Sequence, residues 1–312
     1  MTDIGIYLGT EEITESARDA ERLGFESVWV WDHLAGRYPM LAPEVVLATA
    51  AAVTERVRLG YGVLLAAVRP LPLLAKELAS LQYVSRERLL VGIGDGRGTW
   101  ERWHGGLRDA PAWDALGVRR ADAEARTEDA LRLLPRLVGG EPTRIAPEGG
   151  AGDAAGAEIT LAPAVSAPPL FVAGGPEEAV LRRAVTFGAG WFPAVLSPAQ
   201  LADGVRRLRQ YADEAGRPAP PVTVAVPIQL DIPAGEVAAA REAMARMVVD
   251  GYEVDPGHAA DAGIVGTPEQ AAERLAAFVA AGADRIVLSG GSATDWRAGH
   301  ELLARTATLL NT

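Results

Sequence analysis

At 312 residues, 49% hydrophobic and 23% charged, the chain has the make-up of a globular protein with enough apolar residues for a sizeable core. Its net charge of −11 argues against nucleic acid, whose binding rests on Lys and Arg neutralising phosphates, and against an anionic membrane surface. The lack of cysteine removes disulfides, thiolate metal sites and thiol nucleophiles. No apolar run approaches the roughly 20 residues that span a bilayer, and "MTDIGIYLGTEE" lacks the basic region of a signal peptide, so a cytoplasmic protein is expected.

"DIGIYL", from Asp3, reads as a first strand. "EEITESARDAERLG" follows as a helix, with Ile13, Ala17, Ala20 and Leu23 on one face and Gly24 as its stop. "ESVWVW" from Glu26 and "RVRLGYGV" from Arg56 are the next strands, then the helix "PLPLLAKELASLQYVS" and the strand "RLLVGIG" from Arg88. After the helix "RTEDALRLLPRLVGG", the pattern continues with the strand "PLFVAGG" from Pro169 and the helix "PEEAVLRRAVTFG". "GWFPAV" from Gly190, "VTVAVPIQL" from Val222 and "DRIVLSG" from Asp284 complete the strands, with the helices "SPAQLADGVRRLRQYADEAG" and "TPEQAAERLAAFVAAG" between them. Each strand run is almost continuously apolar and rich in β-branched or aromatic residues, as in strands buried on both faces of a parallel sheet. Two helices open with Ser-Pro or Thr-Pro, an N-cap followed by proline at the first helical position. Eight strands alternating with helices predict a (β/α)8 TIM barrel forming one domain over residues 1–312; a doubly wound open sheet is the competing architecture.

Three stretches exceed what a barrel needs, and the first and third of them are expected to lie as insertions over its C-terminal mouth. They are "DGRGTWERWHGGLRDAPAWDALG" after the fourth strand, "EPTRIAPEGGAGDAAGAEITLAP", which reads as a hairpin with a Gly/Ala-rich flexible tip, and "DGYEVDPGHAADAGIVG" before the penultimate helix.

In such a barrel the reacting groups lie at the C-terminal ends of the strands. Asp32-His33, Tyr61-Gly62-Val63, Gly94-Asp95-Gly96, Gly174-Gly175 and Trp191-Phe192 fall there. The only lysine, Lys76, lies in a helix, which removes Schiff-base chemistry at the mouth. His33, His104, His258 and His300 share no ligand spacing, so no metal site is expected. Gly174-Gly175, followed by Pro176 and a helix, offers backbone N–H groups at a helix N-terminus, which favours an anion such as phosphate. The same glycines also serve a plain tight turn, and Pro176 removes one donor. His33 reads either as a site residue held by Asp32 or as a buried structural histidine. Trp29 and Trp31 share a strand face and read as core or barrel-filling, with cofactor contact as the alternative. Trp100, Trp103, His104 and Trp113 form either a substrate lid or a self-packed loop.

Taken together, "AERLGFESVWVWDH", "TERVRLGYGVL", "LLAKELASLQYVSRERLLVGIGDG", "LFVAGGPEEAVLRRAVTFGAGWFP" and "VGTPEQAAERLAAFVAAGADRIVL" resemble the bacterial luciferase-like family of flavin- and deazaflavin-dependent oxidoreductases. The resemblance spans almost the whole chain and implies hydride transfer between coenzyme F420 and a small organic substrate. FMN-dependent monooxygenation is the alternative, and a non-catalytic member with weakened cofactor binding is a third. It implies a cofactor site of Asp32, His33, Gly62, Val63, Gly94, Asp95, Gly96, Gly174, Gly175 and Pro176, with His33 as acid or base. It further implies a cis peptide at Gly62-Val63 and a homodimer; Trp100, Trp103 and Trp191 are the candidate substrate contacts. One departure stands out. The family commonly continues the glycine pair with Ser-Gly, whereas this chain has Pro176-Glu177, and Arg182 and Arg183 are the candidates to restore anion binding.

Overall fold

The eight expected strand segments form parallel strands because each carries apolar side chains on both faces and no charge within its buried centre. In the computed structural model, which describes residues 2–34, 40–96, 110–146, 156–252, 259, 261–291 and 295–312, they are β1 (Asp3–Tyr7), β2 (Ser27–Val30), β3 (Arg58–Leu65), β4 (Leu89–Gly94), β7 (Leu170–Ala173), β8 (Gly190–Phe192), β9 (Thr223–Leu230) and β11 (Arg285–Gly291). A short strand not anticipated, β10 (Ile264–Gly266), lies where an insertion was expected. Among the described residues the sheet has nine strands in the order β10-β9-β11-β1-β2-β3-β4-β7-β8, all neighbours parallel. The sheet is curled. Isolated parallel bridges, Trp191↔Val222 and Ala194↔Ala225, bring β8 and the residues after it against β9. The expected hairpin is present as antiparallel β5 (Thr143–Ile145) and β6 (Ala157–Ile159), and its tip lies outside the described residues.

Helices cover the outer face: α1 (Ile13–Arg22), α2 (Pro43–Val53), α3 (Leu71–Val84), α4 (Ala110–Ala115) and α5 (Ala123–Val138), then α6 (Glu178–Phe187), α7 (Pro198–Glu214), α8 (Val237–Tyr252), α9 (Pro268–Ala280) and α10 (Trp296–Leu310). The Ser-Pro and Thr-Pro starts of α7 and α9 are full capping boxes, Ser197 with Gln200 and Thr267 with Gln270. α1 stops at Gly24, whose φ of 85° is a left-handed value that glycine adopts without steric cost. Among the described residues no helix is long and apolar enough to cross a membrane.

Strand side chains alternate between two cores. Ile4, Ile6, Val28, Val30, Leu59, Val91, Val172 and Val224 point to the helices. Tyr7, Trp29, Leu90, Phe171, Phe192, Ala225 and Val287 fill the concave inner face. That inner core is built by pairing large rings with bare backbone. A Cβ placed on Gly60 would lie 2.2 Å from the Trp29 ring, on Gly92 2.6 Å from Phe192, and on Gly190 2.3 Å from Phe171. Any side chain at these glycines would collide with an aromatic ring that close packing holds in place.

The N-terminal end of the interior is closed by charge. Arg285 donates to both carboxylate oxygens of Glu26 (Nε 2.9 Å, Nη2 2.8 Å) and to Thr223 Oγ1 at 3.3 Å, and its guanidinium lies 5.8 Å from the Phe171 ring centre. With that end occupied, an accessible interior site is left to the C-terminal strand ends.

Candidate functional site at the strand ends

The alternation of β2 continues past its last paired residue. Trp31 packs on the inner core, and its ring stacks on Tyr7 with centroids 4.2 Å apart and planes 7° from parallel. Of the next two residues, past the end of β2, Asp32 is buried and His33 half-buried. Trp29 is fully buried as interior filling, as its spacing predicted.

Asp32 does not orient His33, and this corrects the expectation. Its Oδ2 accepts from the Leu65 backbone N–H at 2.8 Å and from Arg69 Nη1 at 2.5 Å; its Oδ1 accepts from Arg69 Nη2 at 2.9 Å. Arg69 Nη2 also donates to Glu44 Oε1 at 3.1 Å. Burial works against the Arg69 charge, but the bonds to Asp32, with the charges of Asp32 and Glu44, outweigh it and hold its pKa above the ordinary arginine value. The carboxylate thus ties the end of β2 to the end of β3, and His33 is carried by that tie. Sequence reasoning missed Arg69 and Glu44. Tyr7 was also missed, although its place at the end of the first strand was a usable signal.

At the end of β3 the Gly62–Val63 peptide is cis, as the resemblance implied. The pairing with β4 shifts register between Tyr61 and Leu64, and Tyr7 Oη donates to the Gly62 carbonyl at 2.7 Å. A Cβ on Gly94 would lie 2.7 Å from Val63 Cγ2, so β3 and β4 meet there as one smooth apolar wall. Asp95 beside it is half-buried. Gly96, with φ 68°, lies under the Trp113 ring, and its carbonyl accepts from Arg120 Nη2 at 3.1 Å. Val63, Trp31, Ala173 and Ala194 form the half-buried rim above the inner core.

Two of the expected substrate tryptophans, Trp100 and Trp103, lie outside the described residues, as does His104. Trp113, from the same insertion, is buried against Leu65, Val68 and Val118, which supports the self-packed reading for that part. Trp191 is corrected. It is fully buried in the helix-facing core, with its Nε1 donating to the Gly174 carbonyl at 3.0 Å and its ring against Gly204, so it is out of reach of a substrate. The physical reason is phase: in β8 it is Phe192 that faces inward.

The turn after β7 departs most from expectation. Gly174 has φ 141°, Pro176 contributes no N–H, and Glu177 is the N-cap of α6. A Cβ on Gly175 would lie 2.7 Å from both carboxylate oxygens of Glu177, so the carboxylate lies over the turn. Neither candidate arginine faces it. Arg182 pairs with Glu178 at 2.7 Å and Glu214 at 3.1 Å, and stacks 4.1 Å from the Tyr211 ring centre. Arg183 is buried against Glu124 at 2.5 Å and Glu128 at 3.3 Å. The aromatic and apolar rim therefore fits a planar ring system, whereas the turn does not fit a terminal phosphate. Among the described residues no group of three or more His, Asp or Glu converges that could hold a metal.

The chain is 32% identical over 128 residues to limonene 1,2-monooxygenase of Rhodococcus erythropolis, covering 41% of this chain and 30% of that protein. It is 34% identical over 167 residues to an F420-dependent glucose-6-phosphate dehydrogenase of Beutenbergia cavernae, covering 50% of this chain and 45% of that one. The alignments thus span less than half the length of either relative. An F420-dependent secondary alcohol dehydrogenase, solved with an F420-acetone adduct, superposes with a TM-score of 0.75 at 18% identity, covering 99% of both chains, which is a likeness of fold. The family profile described as luciferase-like monooxygenase matches residues 5–263, and with most of its length so matched the chain belongs to that family.

Proposed function

We propose that the protein is an oxidoreductase that binds a tricyclic ring, the 5-deazaflavin of coenzyme F420, at the strand ends and moves a hydride between it and a small organic substrate. The observation that carries this reading is the rim itself. Trp31 stacked on Tyr7, the Val63–Gly94 wall and the small side chains Ala173 and Ala194 make an apolar seat, and half-buried His33 follows Trp31 by two residues. When bound, the deazaflavin supplies the carbon that gives or takes the hydride. Tyr7 and Trp31 shape one side of the seat, the apolar rim limits water at the reacting edge, and His33 takes or returns the proton that accompanies the hydride. The similarity to a limonene monooxygenase supports a second reading, FMN-dependent monooxygenation, on the same seat.

The test is an absorbance titration of the protein with F420 and, separately, with FMN. A shifted F420 spectrum, and its bleaching or recovery with a substrate from a screen, is the expected result. No spectral change with either cofactor would overturn the reading.

We further propose that the sheet closes as a (β/α)8 barrel, a reading supported by the Trp191↔Val222 and Ala194↔Ala225 bridges, and that the protein forms a homodimer. Val45 on α2 and Leu73, Tyr83 and Val84 on α3 are each more than half exposed, and burying their apolar surface would favour association. Sedimentation at twice 32.7 kDa is expected, with a monomer from the paired change Leu73→Arg and Tyr83→Arg; a wild-type monomer would refute the dimer.

A further inference from the structure

A helix N-terminus at a strand end ordinarily favours an anion, because its first N–H groups are unpaired and its dipole is positive. At α6 that capacity is opposed by local negative charge. Glu177 stands at the N-cap position and lays its carboxylate over Gly175, Glu178 adds a second acid in the first turn, and Pro176 withholds an N–H. The two following arginines are held by Glu178, Glu214, Glu124 and Glu128. A terminal phosphate carries a charge of about −1.5 to −2 at neutral pH, and arriving here it would meet a carboxylate of like sign at the point of closest approach.

We infer that Glu177 is a specificity residue that selects against a ring cofactor ending in a phosphate monoester. The favoured ligand carries the same tricycle with a neutral ribityl end, or with a phosphodiester bearing a single charge. This deepens the proposed function and rests on its reading that the strand ends seat a tricyclic ring. Under it, FMN is the disfavoured form. F420, whose phosphate is a diester, is penalised less, and the unphosphorylated rings are not penalised.

The test compares pairs that differ only in the terminal phosphate: riboflavin with FMN, and 5-deazariboflavin with its 5′-phosphate. Each is titrated by fluorescence against the wild-type protein and the Glu177→Gln and Glu177→Ser variants. Glu177 is exposed and its side chain makes no cap hydrogen bond, so both variants are expected to fold, which circular dichroism checks. In whichever ring series binds, the wild type is expected to hold the unphosphorylated member at least about tenfold more tightly. Both variants should bring the two members to within about threefold by tightening only the phosphorylated one. Equal or tighter binding of the phosphorylated member by the wild type would overturn the inference while leaving the ring seat standing, as would an unchanged ratio in both variants. Failure of all four compounds and of F420 to bind would overturn the ring seat itself, and the inference with it.

Discussion

Replacing His33 with alanine is expected to lower turnover by about 10²–10⁴-fold while leaving the fold intact. His33 lies two residues after Trp31 in the chain, and Trp31 belongs to the apolar rim on which a ring and a small substrate are proposed to lie. A hydride leaving or joining carbon is accompanied by a proton, and an imidazole at that edge gives the proton a fixed place to go. Losing it returns proton transfer to water, which by the tenfold-per-1.36 kcal/mol scale corresponds to about 2.7–5.5 kcal/mol of barrier. The side chain is only half-buried, so its removal exposes a gap that solvent fills, and the thermal midpoint should move little. Cofactor affinity should weaken only severalfold, because the seat is made by Tyr7, Trp31, Val63 and Gly94. The measurement is paired: cofactor titration beside turnover. Turnover within threefold of wild type would remove His33 from the chemistry, and a loss of folding would make it a structural histidine.

What could be read from the chain follows the length and regularity of each signal. The eight main strands were legible because each is a bounded apolar run, and "WVWDH" was legible as a strand end because two polar residues break such a run. The ladder position of β10 was not legible, since three residues carry no periodicity. α2 was passed over because "PEVVLATAAAV" is apolar and alanine-rich all round, without a polar stripe to mark a face. Trp191 was misassigned by phase. In a three-residue strand one step decides between interior and helical layer, and the rings of Trp191 and Phe192 are equally apolar. The partner of Asp32 lies 37 residues away, and no local spacing points to it. The adjacent histidine was the plausible local choice, and the folded chain uses a distant arginine. The altered phosphate turn was visible as Pro176-Glu177, but only the three-dimensional placement reveals that Arg182 and Arg183 serve other carboxylates.

The Asp32 tie leads to the second large effect, which is on stability. Asp32→Ala should destabilise the fold by about 3 kcal/mol, at the lower end of the 3–5 kcal/mol typical of breaking a buried ion pair. The side chain of Asp32 is 4% exposed and that of Arg69 20%, so the pair is shielded on one side only, and water can partly rehydrate the stranded guanidinium. Glu44 remains as a second partner for Arg69, which also limits the loss. A second contribution comes from the buried Leu65 N–H, which loses its acceptor. Asp32→Asn separates the two: the amide oxygen can still accept from Leu65, while the charge facing Arg69 is gone. Its cost should be smaller, about 1–2 kcal/mol. The double change Asp32→Leu with Arg69→Met removes both charges and should recover part of the loss, because no unpaired ion is left buried. Turnover should fall in each variant, since His33 stands on the segment that the tie holds against β3. The expected order is nevertheless distinct from that of His33→Ala: at Asp32 the denaturation midpoint moves first and activity follows it, whereas at His33 activity falls alone. If Asp32→Ala kept its urea midpoint and still lost cofactor binding, the carboxylate would be a ligand contact and the structural tie would be secondary.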